Sequence, residues 1–153
     1  MRVVDILTED LIIPTLQGQT KADILQELAE HVAAQRSAIK ADQLLSVLLD
    51  RERLGTTAIG EGIAIPHGKL PGLDGVVAVF GRSSKGVDCQ SLDGLPTKLF
   101  FLLVAPEESA GIHLKALARV SRLLKDKSFR ERLLNSPNQA ELYQVICEED
   151  GKL

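Results

Sequence analysis

His67 lies in the run Ile63-Ala64-Ile65-Pro66-His67-Gly68, and its neighbours decide what an imidazole there can do. Pro66 fixes the backbone approaching the ring, because its φ is locked and it has no N–H to donate. Gly68 has no side chain, so its amide can face a bulky anion closely; with Gly60, Gly62 and Gly72 nearby, the segment is expected to fold into an amide-lined concavity. An imidazole with an ordinary pKa of about 6.5 is largely neutral at pH 7, which leaves one ring nitrogen as a free nucleophile without any metal. A turn histidine with a satisfied hydrogen bond also fits these local residues. A metal site fits poorly, because the other two histidines, His31 and His113, lie at none of the spacings that gather ligands. His31 sits mid-helix between Glu30 and Val32 with no motif around it and is read as structural.

The elements that must position His67 alternate along the chain. After Leu11-Ile12-Ile13 and a turn at Gly18, Thr20 and Asp23 form a capping box ahead of a helix whose stripe is Ile24, Leu25, Leu28, Ala29 and Val32. A second helix carries Leu44, Leu45 and Leu48 and stops at Gly55. Thr56 to Leu73, punctuated by glycines, Pro66 and Pro71, reads as a tight surface segment. The continuous apolar runs Gly75–Gly81 and Leu99–Ala105 suit strands buried on both faces, with a hairpin or edge strand between them in Ser83–Lys98. A helix beginning near His113 presents Leu114, Leu117, Ala118, Ser121 and Leu124. Capping boxes at Ser128–Glu131 and Asn138–Glu141 open two short helices, with Phe129 and Leu133, then Leu142, Val145 and Ile146, facing inward. The expected fold class is α/β: a mixed β-sheet flanked by helices on both sides, in a single domain over residues 1–153.

Composition narrows the function classes. A length of 153 residues is the size of one domain. Its net charge of −3 provides no global positive field for a nucleic-acid backbone. Apolar residues make up 44% but include only four Phe and one Tyr, so the core must be aliphatic. The longest apolar run, Leu99 to Ala105, falls far short of the roughly 20 residues of a membrane span, and the start of the chain lacks the hydrophobic stretch of a secretory leader. Cys89 and Cys147 are solitary, as expected of reduced thiols in the cytoplasm. No nucleotide-binding GxxxxGK[ST] is present.

Glu52, six residues, Ile59-Gly60, two residues and then Ile63-Ala64-Ile65-Pro66-His67-Gly68 together resemble a known signature. It is the phosphorylation site of the type 2 enzyme IIA domains of the bacterial phosphoenolpyruvate-dependent phosphotransferase system. The likeness extends through Arg51–Gly55, Gly111–Leu114 and Leu142–Ile146, nearly the whole chain. It implies an α/β fold and a phosphotransferase component without cofactor or metal, whose histidine takes a phosphoryl group from a small histidine-containing phosphocarrier protein (HPr-like). His67 matches the phosphoacceptor, Arg51 an active-site arginine, and His113 a second active-site histidine that hydrogen-bonds the phosphoryl group. Transfer between two histidines is reversible and is governed by positioned donors, here Arg51, His113 and loop amides.

Two branches of the family remain. In one, the phosphoryl group passes to a cysteine of a IIB domain during uptake of fructose, mannitol or a similar sugar. In the other, a nitrogen-regulatory IIA changes its target proteins with phosphorylation. Gly62–Leu70 and Leu124–Lys127, with no IIB or membrane segment in the sequence, look most like the nitrogen branch. Where some members of that branch have His-Leu-His, this chain has His113-Leu114-Lys115, which leaves one active-site histidine there.

Overall fold

The two long apolar runs become the centre of a sheet. The computed structural model describes residues 1–153. Two 3₁₀ turns, Val3–Asp5 and Glu9–Leu11, lead to β1 (Ile12–Ile13), α1 (Lys21–Gln35) and α2 (Ala41–Arg53). Three short strands follow, β2 (Ala58–Gly60), β3 (Ile63–Ala64) and β4 (His67–Leu70), then the long β5 (Val77–Val87) and β6 (Thr97–Pro106). The chain ends with α3 (Ala110–Leu124), α4 (Lys127–Asn135) and α5 (Gln139–Asp150). β5 and β6 pair antiparallel, with Phe80 opposite Phe101 and their rings edge to face at 5.7 Å. β1 adds parallel to β5, β3 and β4 add parallel to β6, and β2 closes the edge antiparallel to β3. The result is a mixed six-stranded sheet flanked by helices. One contiguous cluster of 41 buried apolar residues makes the chain a single domain. No helix is long and apolar enough to cross a membrane.

Thr56–Leu73 is not the surface segment its glycines and prolines suggest. β3 and β4 follow β6 in one register, Ile63 opposite Leu99 and His67 opposite Leu103, interrupted only at Ile65-Pro66. The long-range partner supplies what the local sequence lacks: a buried backbone must be hydrogen-bonded, and β6 offers an unfilled edge. The glycines also serve ends other than an anion cradle. Gly60, Glu61 and Gly62 all have positive φ and make the β2–β3 turn, whose Glu61 amide donates to Asp93 Oδ2 at 2.9 Å, so a carboxylate from the connection between β5 and β6 holds the turn. At Gly68 a Cβ would stand 2.5 Å from Val47 Cγ1, so glycine is required there to let α2 lie on β4.

The Ser83–Lys98 stretch does hold a hairpin, made by the ends of the two long strands themselves and not by a separate strand. β5 runs on through Ser83 to Val87, which pairs with Thr97 at the start of β6, and residues 88–96 are the connection between them. A charged residue can occupy that buried strand because Arg82 gives Nε to the Pro14 carbonyl and Nη1 to the carbonyls of Leu133 and Ser136.

Thr20 and Asn138 cap their helices as expected, accepting from the amides of Asp23 and Glu141. α4 is capped by Asp126, not Ser128: its carboxylate accepts from the Phe129 amide at 3.0 Å. α3 begins before His113, and its buried face is His113, Ala116, Val120, Leu123 and Leu124, one residue round from the leucine stripe, so that Leu114 is 65% exposed. The small Ala116 and the branched Val120 fit a helix seated closely on β6, and that rotation turns His113 inward. His31 is structural, its Nε2 lying 2.7 Å from the Asp10 carbonyl.

Gly68→Ala is expected to destabilise the fold by about 1–3 kcal/mol, the usual range for an overpacked contact. In urea denaturation, combining it with Val47→Ala should cost less than the sum of the two single changes, because the clash disappears. Additive losses would show that Val47 is not what excludes a side chain at residue 68.

Candidate active site

His67 opens β4 and is half-buried. Its Nδ1 lies 2.9 Å from the Ile65 carbonyl, and its Nε2 receives Arg51 Nε at 3.2 Å. These two contacts fix the tautomer by chemistry alone. An arginine can only donate, so Nε2 must hold a lone pair; a carbonyl can only accept, so Nδ1 must carry the proton. The nitrogen facing Arg51 is therefore the nucleophilic one.

Arg51 projects from the last turn of α2, and its Nη1 donates to the Gly55 carbonyl at 2.9 Å. Gly55, at φ +144°, turns the chain back beneath it. With one edge of the guanidinium engaged by Gly55 and Nε on the histidine, the fork is fixed beside Nε2, where it suits phosphoryl oxygens.

His113, from the first turn of α3, stands edge-on to His67 with ring centroids 5.4 Å apart and planes at 61°. Only 7% of the residue is exposed, and its Nδ1 is buried without a hydrogen-bond partner. Burial, followed by the charges of His67 and Lys69, pushes its pKa below the ordinary histidine value. At pH 7 it is thus a neutral ring with an unused polar atom beside the His67 imidazole.

All three residues singled out in the sequence meet at this point. Sequence reasoning gave Glu52 no role, yet it is the best-connected acid near the site: its carboxylate accepts from the amide and hydroxyl of Thr57 and pairs with Lys21 Nζ at 2.6 Å. Its place in the motif was the only signal for it, because the packing of α1 against α2 supplies Lys21.

The family model described as "Phosphoenolpyruvate-dependent sugar phosphotransferase system, EIIA 2" matches residues 5–149. The chain belongs to that family. Among its EIIA 2 relatives, the "Nitrogen regulatory protein" of Bradyrhizobium diazoefficiens is 43% identical over 147 residues, which are 96% of this chain and 95% of that one. The "PTS system fructose-specific EIIABC component" of Bacillus subtilis is 33% identical over 150 residues, 98% of this chain but only 24% of that protein. Among solved structures, "Nitrogen Regulatory Protein IIA-Ntr from Neisseria meningitidis" superposes with a TM-score of 0.87 at 28% identity, covering 94% of this chain and 98% of that one.

The depressed pKa of His113 sets a sign. As pH falls below about 6.5, the unfolded chain protonates His113 before the folded chain does, so stability declines with falling pH until the folded value is passed. Proton NMR should show this ring titrating below an ordinary histidine, and His113→Gln should flatten the acid limb of the stability curve. A His113 that titrates at or above the ordinary value contradicts the burial argument.

Proposed function

We propose that Nε2 of His67 accepts a phosphoryl group from the phosphohistidine of a small carrier protein, and that the EIIA 2 chain acts in the cytoplasm as a nitrogen-regulatory component. The observation that carries this is the locked ring, with Nδ1–H on the Ile65 carbonyl and the Nε2 lone pair facing Arg51. The N–P bond of the donor breaks as the Nε2–P bond forms, and the departing imidazole recovers its lone pair. No proton has to leave Nε2. Nδ1 keeps its proton throughout, so the phosphorylated ring carries a positive charge that the Ile65 carbonyl stabilises and that keeps the new N–P bond easy to break. Arg51 exchanges its contact with Nε2 for the phosphoryl oxygens, and His113 supplies a further hydrogen bond. Charge on those oxygens spreads in the transition state, so oriented donors carry most of the catalysis.

The regulatory role is supported by the likeness to the Bradyrhizobium protein along 95% of its length. Phosphorylation adds about −1.5 to −2 charge at the site, enough to change which surfaces the chain binds. The fructose-specific relative supports the other branch, with a IIB cysteine as the next acceptor.

With phosphoenolpyruvate, the first enzyme of the system and the carrier protein, the chain should gain one acid-labile, base-stable phosphoryl group. His67→Ala should gain none, and labelling of that variant overturns the assignment. Arg51→Ala and His113→Ala should each transfer roughly 10- to 1000-fold more slowly with the fold intact. Cytosolic targets should distinguish the phosphorylated from the unmodified chain. If none does, and a IIB cysteine accepts the group rapidly, sugar uptake replaces regulation.

A further inference from the structure

The last turn of α2 places Arg51 and Glu52 side by side, and the two control opposite ends of the His67 ring. Arg51 touches Nε2 directly. Glu52 reaches Nδ1 through the backbone. Its Oε1 accepts from the Thr57 amide at 3.1 Å and its Oε2 from Thr57 Oγ1. The Thr57 carbonyl accepts from the Ile65 amide at 3.1 Å, and the Ile65 carbonyl accepts from His67 Nδ1 at 2.9 Å.

The first link of this chain is unusually firm. The Glu52 side chain is 8% exposed and its charge is met by Lys21 Nζ at 2.6 Å, so it is a paired, hydrogen-bonded carboxylate that cannot swing into solvent. Lys21 also approaches Thr56 Oγ1 at 3.5 Å; that hydroxyl donates to the Cys89 carbonyl at 2.8 Å and accepts from the Ala58 amide at 3.1 Å. Thr56, Thr57 and Ala58 are thereby tied to both helices of the α1–α2 pair and to the loop after β5.

The middle of the chain is where such an anchor is needed. β3 ends at Ala64, and Pro66 has no amide to donate, so the Ile65 peptide sits in a break in the ladder. On the β6 side the Leu103 amide reaches only past it, to the Pro66 carbonyl, and the Ile65 amide finds its partner in Thr57. Neutral imidazole has two tautomers, and its hydrogen-bond partners choose between them. A displaced Ile65 carbonyl would release the Nδ1 proton to Nε2, turning the nucleophile into a donor pointed at another donor, Arg51.

We propose that Glu52 is a positioning residue for phosphoryl transfer: by holding Thr57 it sets the Ile65 carbonyl that keeps the proton on Nδ1 and the lone pair on Nε2. This rests on His67 Nε2 being the acceptor, as proposed above. Glu52 touches neither the ring nor the transferred group.

The test pairs ¹⁵N NMR of the His67 ring with single-turnover transfer from the phosphorylated carrier protein, in Glu52→Ala, Glu52→Gln and Thr57→Val. The wild-type ring should show one tautomer, protonated at Nδ1. Glu52→Ala should show a mixture with protonated Nε2 and transfer roughly 10- to 100-fold more slowly, the scale expected for a small displacement of a reacting group. Glu52→Gln, which keeps one acceptor oxygen, should recover part of both. Thr57→Val removes one bond to the carboxylate with little change of shape and should move both readouts in the same direction by less; it carries the test if Glu52→Ala does not fold. Wild-type ring shifts and wild-type rates in the folded variants overturn the proposal. Ring tautomers that shift in a chain accepting no phosphoryl group would support Glu52 as a positioning residue while overturning the assignment of His67 as acceptor.

Discussion

The Nδ1–H of His67 on the carbonyl of Ile65 is the contact on which the site depends. It is a single neutral hydrogen bond, worth on the order of 1 kcal/mol in net stability. Its importance lies in direction, since it decides which ring nitrogen holds the lone pair. Everything around it serves that choice. Arg51 cannot accept and so reinforces it from the other end, and His113, buried and with a lowered pKa, adds no competing positive charge at pH 7 beside the Nε2 lone pair.

The fold supplies this contact by an interrupted strand. Were residues 63–70 a continuous strand, the carbonyl of Ile65 would belong to a regular ladder. Pro66 breaks the ladder, and the shared register of β3 and β4 against β6 keeps the break from becoming a loose loop. Two close packings then bring in the helices. Gly68 lets α2 approach β4, which places Arg51 over the ring, and the Ala116–Val120 face of α3 turns His113 toward it. The site is thus built from one strand and two helix ends, all on rigid elements.

How legible this was in the sequence depended on whether the deciding interaction was local. The β5 and β6 runs, the Thr20 and Asn138 caps and the Phe129, Leu133 and Leu142 faces were legible because composition and spacing within a few residues determine them. β3 and β4 were not, since their glycines and proline signal a loop and only the edge of β6 makes them strands. The face of α3 was misjudged by one residue because leucines outweigh alanine in a periodicity argument, whereas a helix close to a sheet selects small residues. His67 stood out by its flanks, while Arg51 and His113 could be tied to it only through the family resemblance. Glu52 was visible as a motif position without a role, because Lys21, Thr57 and Ile65 come to it through tertiary packing.

The central claim is that the ring is locked for reaction at Nε2, and the position of the phosphoryl group on the imidazole tests it most directly. The phosphorylated chain, labelled with ¹⁵N in its histidines, should show phosphorus coupled to Nε2 of His67 and a proton retained on Nδ1. A phosphoryl group on Nδ1 would mean that the Ile65 carbonyl does not hold that nitrogen, and would contradict the account.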